Sequence, residues 1–211
     1  MFDTAFVARF SLVPLHPDTE GALLHFGVAY HWGKFSDDEA QLKSRPESST
    51  APFFVDTGVF PAERNNMLGL EAYFRKGNWL VGAEYLLNFI DGPQVDDPLV
   101  HGGEAYVSWI AFGGEQRPYV DLGGKLGFVS VKDSAFSGGK GALEAVLHFS
   151  YTDLDDGGIS GGTFWRLTPQ INWYIDDMVS LRVNYGLAHL DRFGVGEITQ
   201  FYQARLQFQI Q

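Results

Sequence analysis

The sequence contains no cysteine in 211 residues. That absence excludes a disulfide framework, a thiolate nucleophile and any Cys-ligated zinc or iron–sulfur centre. No run approaches the ~18 consecutive apolar residues of a transmembrane helix. Positive charge is scarce, with 15 Lys and Arg against 26 Asp and Glu and a net charge of −11. Lacking a basic stripe, the chain is not expected to take nucleic acid as a partner. The N-terminus shows neither the basic n-region nor the continuous apolar stretch of a secretory signal peptide. Helix-length amphipathic patterns are rare as well.

Aromatic residues, at 15%, and 25 glycines are abundant instead, and the glycines are spread so evenly that no linker or second domain is marked off. Period-two alternation dominates the chain. Tyr202, Ala204, Leu206, Phe208 and Ile210 interleave with Gln203, Arg205, Gln207 and Gln209. Val179, Leu181, Val183 and Tyr185 alternate with Ser180, Arg182 and Asn184; Trp165, Leu167, Pro169, Ile171 and Trp173 with Arg166, Thr168, Gln170 and Asn172; and Leu143, Ala145, Leu147 and Phe149 with Glu144, Val146 and His148. Segments near 4–12, 22–33, 53–60, 67–76, 79–89 and 104–113 read as further strands. The total is about ten strands of ~10 residues, the length that crosses a bilayer when tilted.

The connections sort by parity. Segments 75–78 and 176–177 read as tight turns, whereas 91–102, 153–162 and 191–199 read as long polar loops on the opposite side. Outer-membrane barrels have this asymmetry, with short periplasmic turns and longer external loops. Segments 33–52 and 114–140 are long on the periplasmic side and break the rule.

Alternation by itself fits a soluble β-sandwich as well as a membrane barrel. Aromatic placement favours the membrane, because Tyr30, Trp32, Tyr151, Trp173 and Tyr202 sit near strand ends on the apolar face, where headgroup-level girdles form. The polar face carries Arg9, His25, His31, Glu71, Arg75, Glu84, Asn88, Glu144, His148, Arg166, Asn172, Arg182, Asn184 and Arg205, charges of both signs at mid-strand that suit a water-filled lumen. The expected architecture is an all-β, antiparallel transmembrane β-barrel of outer-membrane porin type, with the lipid bilayer as partner.

Several runs resemble the phosphate-selective porin O/P family. They are Gly141-Ala142-Leu143-Glu144 leading to His148-Phe149-Ser150-Tyr151 and Asp153-Leu154, then Asn172-Trp173-Tyr174, then Arg182-Val183-Asn184-Tyr185, with Gly113-Gly114-Glu115-Gln116-Arg117-Pro118-Tyr119 and 24–30 upstream. The resemblance implies a 16-stranded outer-membrane barrel in a Gram-negative bacterium, usually trimeric, passing small anions such as phosphate. On that reading residues 1–211 are one barrel domain lacking the N-terminal strands and signal peptide, and about ten strands here belong to the sixteen. Leu143 stands where the family has an aromatic, His148 where it has arginine and Gly113 where it has threonine. An unperturbed imidazole is mostly neutral near pH 7, so His148 weakens the expected lumen charge. Gln211 has inward parity, so the chain is expected to continue past it to an outward aromatic.

Diffusion through such a pore needs no covalent chemistry, no metal and no cofactor, only lining side chains and inward-folding loops. The pore-lining candidates are Arg9, His25, Arg75, Glu84, Glu144, His148, Arg166, Asn172, Arg182, Asn184 and Arg205. Arg9, Arg166, Arg182 and Arg205 are the candidate cations, since guanidinium presents fixed donors to phosphate oxygens. Their alternative role is pairing with Glu71, Glu84 and Glu144. Catalysis through His148, Ser150 and Asp153 is disfavoured: His148 and Ser150 share a face at strand spacing, ~6–7 Å apart at their backbones, whereas a nucleophile needs hydrogen-bond reach to a base that a third group orients. Segment 153–164 lacks the closing glutamate of a calcium loop.

Overall fold

A computed structural model describes residues 2–16, 18 and 21–209. Nine long strands form one antiparallel sheet in chain order: β1 (Phe2–Leu15), β2 (Ala22–Phe35), β3 (Arg64–Lys76), β4 (Trp79–Asp91), β5 (Leu99–Phe112), β6 (Ala142–Asp156), β7 (Ile159–Tyr174), β8 (Val179–Arg192) and β9 (Val195–Phe208). Each pairs with the next, and β1 and β9 are the two edges. The expectation for Ile210 and Gln211 lies outside the described residues.

Three expectations are corrected. The sheet has nine strands, not ten, because 53–60 does not form a long strand. Its apolar residues serve a different purpose. Segment 36–63 is an irregular hairpin, with Glu39–Ala40 paired to Phe60–Pro61 and Lys43–Ser44 to Val55–Asp56. Ala40, Val55, Phe60 and Ala62 bury themselves against Ile90, Val100, Leu154 and Phe164 of the sheet, and Phe54 meets Phe164 edge-on at 5.5 Å. A short apolar run that packs a loop against a sheet has the same local signature as a strand.

Removing that strand also changes the side on which segment 33–52 lies. It joins 92–98, 157–158 and 193–194 at one end of the sheet, whereas the connection from Leu15 to Ala22, 77–78, 113–141 and 175–178 belong to the other. Segment 113–141 alone remains long among the short turns. Finally, the connections read as long at 153–162 and 191–199 are two-residue turns, Gly157-Gly158 and Phe193-Gly194, with positive φ at both positions of each. Such turns match the twist of a hairpin, so backbone pairing continues through the polar residues on either side of them. The strands run 13 to 16 residues, longer than the ~9–11 that a bilayer requires.

Burial is inverted relative to a water-soluble sheet. Phe10 is 70% exposed, Tyr202 79% and Phe208 70%, and Phe26, Leu70, Val81, Trp109, Leu147, Ile171 and Val183 are exposed on the same outer face. The opposite face, called inner here, is covered by loops 36–63 and 113–141. Arg166, His25 and Glu144 on that face are fully buried.

Candidate functional site

Strand register puts all eleven candidates on the inner face. Glu144 of β6, Asn172 of β7, Arg182 of β8 and Arg205 of β9 follow one another in a single row. His25 of β2 faces Tyr73 and Arg75 of β3 faces Leu80, while Glu84 of β4 lies between Glu71 and Glu104. His148 is opposite Thr168, Arg166 opposite Ser150, Asn184 opposite Gln170, and Arg9 opposite Ala29. This agreement follows from the exact two-residue period of a strand, which fixes every side of the sheet once one residue is placed.

Loop 36–63 drives its tip into β6 and β7. Pro46 is fully buried, and its carbonyl accepts from Arg166 Nη1. The next residue, Glu47, has a φ of 54°. Its carboxylate meets a set of side chains from the wall: Thr168 Oγ1 donates to Oε2 at 3.0 Å, Ser150 Oγ donates to Oε1, Arg166 Nε lies 3.4 Å from Oε2, and His148 Nδ1 lies 3.3 Å from Oε1. Burial alone would raise the Glu47 carboxyl. The hydrogen bonds with His148 and Ser150, with the charges of His148 and Arg166, outweigh it and hold the group below the ordinary carboxylate value. Arg166 is also fixed from the wall side, by Thr168 Oγ1 at 2.9 Å, Gln203 Oε1 at 2.8 Å, Asn184 Oδ1 at 3.3 Å and the Phe201 ring at 4.8 Å. Gly186 makes room for it, since a Cβ there would fall 2.4 Å from Arg166 Nε.

Loop 113–141 inserts the opposite charge. Arg117 Nη2 donates to Glu144 Oε1 at 3.0 Å, to Oε2 at 2.9 Å and to Tyr174 Oη at 3.0 Å. Glu144 also accepts from Tyr174 Oη at 2.6 Å, from Asn172 Nδ2 at 2.8 Å and from Ser108 Oγ. Burial disfavours the Arg117 charge, but Tyr174 and Glu144 overcome that and raise its pKa. Arg75 donates to the Arg117 carbonyl. Farther along, Tyr119 Oη meets His25 Nδ1 at 2.7 Å, His25 Nε2 lies 2.9 Å from Glu71 Oε1, and Arg9 bonds both Glu71 and the Gly123 carbonyl, the latter at 2.6 Å. Gly27 leaves the space for Glu71, whose Oε1 would lie 2.1 Å from a Cβ at that position.

Two cavities flank the inserted tip of loop 36–63. One of about 690 Å³ lies between loop residues 42–45 and 47 and the carboxylates of Glu71, Glu84 and Glu104, which are consecutive in register. The other, of about 670 Å³, is lined by Ser48, Ser49 and Thr50 of the loop and by Arg182, Gln203 and Arg205 of the wall. Arg182 and Arg205 are direct cross-strand neighbours. Neither is in an ion pair among the described residues, and Arg182 Nε is buried without a partner.

The expected alternative of arginine pairing therefore holds for some cations only. Arg9 pairs with Glu71. Arg166 pairs with Glu47, which sequence reasoning missed, and Glu144 takes Arg117, also missed, in place of a wall arginine. Glu84 accepts from Tyr73. Arg117 lies inside the run that carries the family resemblance, so a signal for it was present. Glu47 sits in a polar loop with nothing local to distinguish it. His148 and Ser150 both turn to Glu47, while Asp153 is on the outer face and accepts from Tyr151. In segment 153–164, Asp155 accepts from the Gly162 amide and Asp156 from the Leu99 amide, so those carboxylates cap backbone.

A protein of Caulobacter vibrioides (strain ATCC 19089 / CIP 103742 / CB 15), described as "Uncharacterized protein", is 29% identical over 168 residues, which cover 78% of this chain and 34% of the relative. The chain thus spans about a third of the length of the relative it matches. The sequence model of the family described as "Phosphate-selective porin O and P" matches residues 3–210, nearly the whole chain. The chain belongs to the phosphate-selective porin O and P family.

Proposed function

We propose that this chain forms a contiguous part of the wall of a water-filled outer-membrane channel through which small anions, phosphate among them, diffuse down their gradients. In the full-length protein, further strands join its two sheet edges to complete a 16-stranded barrel, and three barrels associate. The inverted burial carries this reading. Each exposed Phe, Leu, Val or Ile forfeits up to ~1.5–3 kcal/mol by remaining in water. Summed along nine strands, that loss exceeds the whole stability of an ordinary domain, ~5–15 kcal/mol. A bilayer against the outer face and water against the inner one remove the conflict. A soluble sandwich, the alternative that alternation allows, would bury the row that is exposed here.

The preference for anions is supported by Arg182 and Arg205, adjacent guanidinium groups on a cavity whose other wall is hydroxyl-rich. The test is reconstitution of the full-length protein into planar bilayers. Stepwise conductance is expected, with a reversal potential in asymmetric chloride on the anion side that moves toward cations in an Arg182→Ala/Arg205→Ala variant. Absence of conductance refutes the channel. Cation preference in the unmodified protein refutes the anion assignment.

A further inference from the structure

The Glu47 carboxylate has the surroundings of a bound ligand. Ser150, Thr168, Arg166 and His148 converge on its two oxygens from neighbouring strands β6 and β7. Arg166 is fully buried, and among the described residues its only acidic partner is this loop residue. A buried guanidinium without a counter-charge is strongly unfavourable, so the wall requires an anion at this position. Apart from the Pro46 carbonyl, which would leave with the loop, the groups that hold Arg166 in place, Thr168, Asn184, Gln203 and Phe201, belong to the wall and would remain. The positive φ of Glu47, uncommon for a residue with a Cβ, is retained at the point where loop and wall meet.

We propose that Ser150, Thr168, Arg166 and His148 form an oxyanion-binding cradle that Glu47 occupies as a tethered ligand, and that a free oxyanion such as phosphate competes for it and releases the loop tip. The loop then answers to the solute. With Glu47 docked, Pro46 and Glu47 separate the acidic cavity from the basic one. With phosphate in the cradle, the guanidinium keeps its counter-charge and the tip is free. This deepens the channel reading and rests on it only for the route by which the anion arrives. A tethered group acts at an effective concentration on the order of millimolar or above, so inorganic phosphate is titrated from about 1 to 50 mM.

The test uses the full-length protein, folded in detergent, with a single cysteine introduced as Pro46→Cys. The described chain has no other cysteine. Position 46 is fully buried while the tip is docked, and the substitution leaves its carbonyl available to Arg166. Maleimide labelling is expected to rise about tenfold between zero and tens of millimolar phosphate, saturating as a binding curve. Adding Glu47→Ala should make labelling fast without phosphate and insensitive to it. Adding Arg166→Met to the parent should abolish the phosphate response. Labelling of Pro46→Cys that is unmoved by phosphate overturns the proposal, as does a phosphate response that survives Arg166→Met. None of these readings depends on conductance, so a silent bilayer experiment and an unresponsive cysteine are separate failures.

Discussion

Replacing Glu144 with glutamine removes one charge from the centre of the second loop anchor while nearly preserving its shape. Glu144 has 1% of its side chain exposed, and Arg117, Asn172, Tyr174 and Ser108 all direct donors at its oxygens. An amide presents only one acceptor oxygen. The other position becomes an NH₂ facing donors, and Arg117 loses its counter-ion. Breaking a buried pair from one side costs ~3–5 kcal/mol. Arg117 keeps 20% of its side chain in contact with water, which screens part of that loss and brings the expected cost to about 2–4 kcal/mol. At 1.4 kcal/mol per factor of ten, the open population of loop 113–141 rises roughly 30- to 1,000-fold.

Trypsin reads this directly, because Lys125 and Lys132 lie in that loop and the paired strands resist cleavage. Proteolysis of a locally opened segment follows its equilibrium population when reclosing is fast. The Glu144→Gln protein should therefore be nicked in the loop at a correspondingly higher rate, with the paired strands otherwise intact on a gel. Arg117→Met should also loosen the loop. The double variant should be much less loose than the sum of the two, with a coupling of ~1–3 kcal/mol, because removing both partners leaves no stranded charge. Unchanged cleavage in Glu144→Gln, or strict additivity in the double variant, would refute the reasoning that the Arg117–Glu144 pair holds this loop.

Acid should undock the other loop. The docked environment holds the Glu47 carboxyl below its ordinary value of 4.5, so the carboxylate's contribution to docking is complete above that value and lost as pH falls through the lower docked one. Divided by the rate of the Glu47→Ala variant at the same pH, which cancels the thiol's own ionisation, labelling at position 46 should therefore be flat from about pH 5 to 7 and rise toward one below about pH 4. Gly186→Val should damage the wall more than its added volume suggests, since the new Cβ would overlap the guanidinium of the fully buried Arg166. A cost of ~1–3 kcal/mol is expected from overpacking, seen as a lower temperature of conversion from the folded to the unfolded band in detergent electrophoresis. On the outer face, Trp79 and Trp109 stack at 5.8 Å and are 54% and 41% exposed. Brominated lipid should quench their fluorescence in proteoliposomes, and quenching by aqueous iodide in its place would refute the lipid-facing assignment.

The two faces of the sheet were legible because strand alternation is a local property. Arg182, Asn184 and Arg205 needed only their parity to be placed on the polar face, and Tyr202 only its parity to be placed opposite. Loop structure was not legible in the same way. Phe53, Phe54, Val55 and Phe60 have the composition of a strand, and only the packing of Phe54, Val55 and Phe60 in one cluster with Phe164 and Ile90 reveals a loop core. Strand ends at 153–156 and 191–192 look like loop because they are acidic or basic, yet backbone pairing continues through them to two-residue turns. Charge partners were the least legible feature. Arg166 and Glu47 are 119 residues apart, and no local pattern connects a mid-strand arginine to a glutamate at a loop tip.

Those distant partners change what the wall's charges mean. Counted by strand, the inner face mixes acids and arginines and suggests mutual neutralisation. The loops reverse that reading at two points: wall cations at Arg166 and His148 are met by a loop carboxylate, and the wall carboxylate of Glu144 is met by a loop guanidinium. What remains after these pairings is segregated. Glu71, Glu84 and Glu104 run side by side across β3 to β5, and Arg182 stands beside Arg205 across β8 and β9. Like charges placed opposite each other in a sheet are destabilising unless something between or before them offsets the repulsion. On the acidic side Arg9, His25, Tyr73 and His148 supply that offset from the protein itself. The arginine pair has no such partner among the described residues. Its repulsion is not offset by any of the described residues, which leaves the pair open to a counter-charge from outside them.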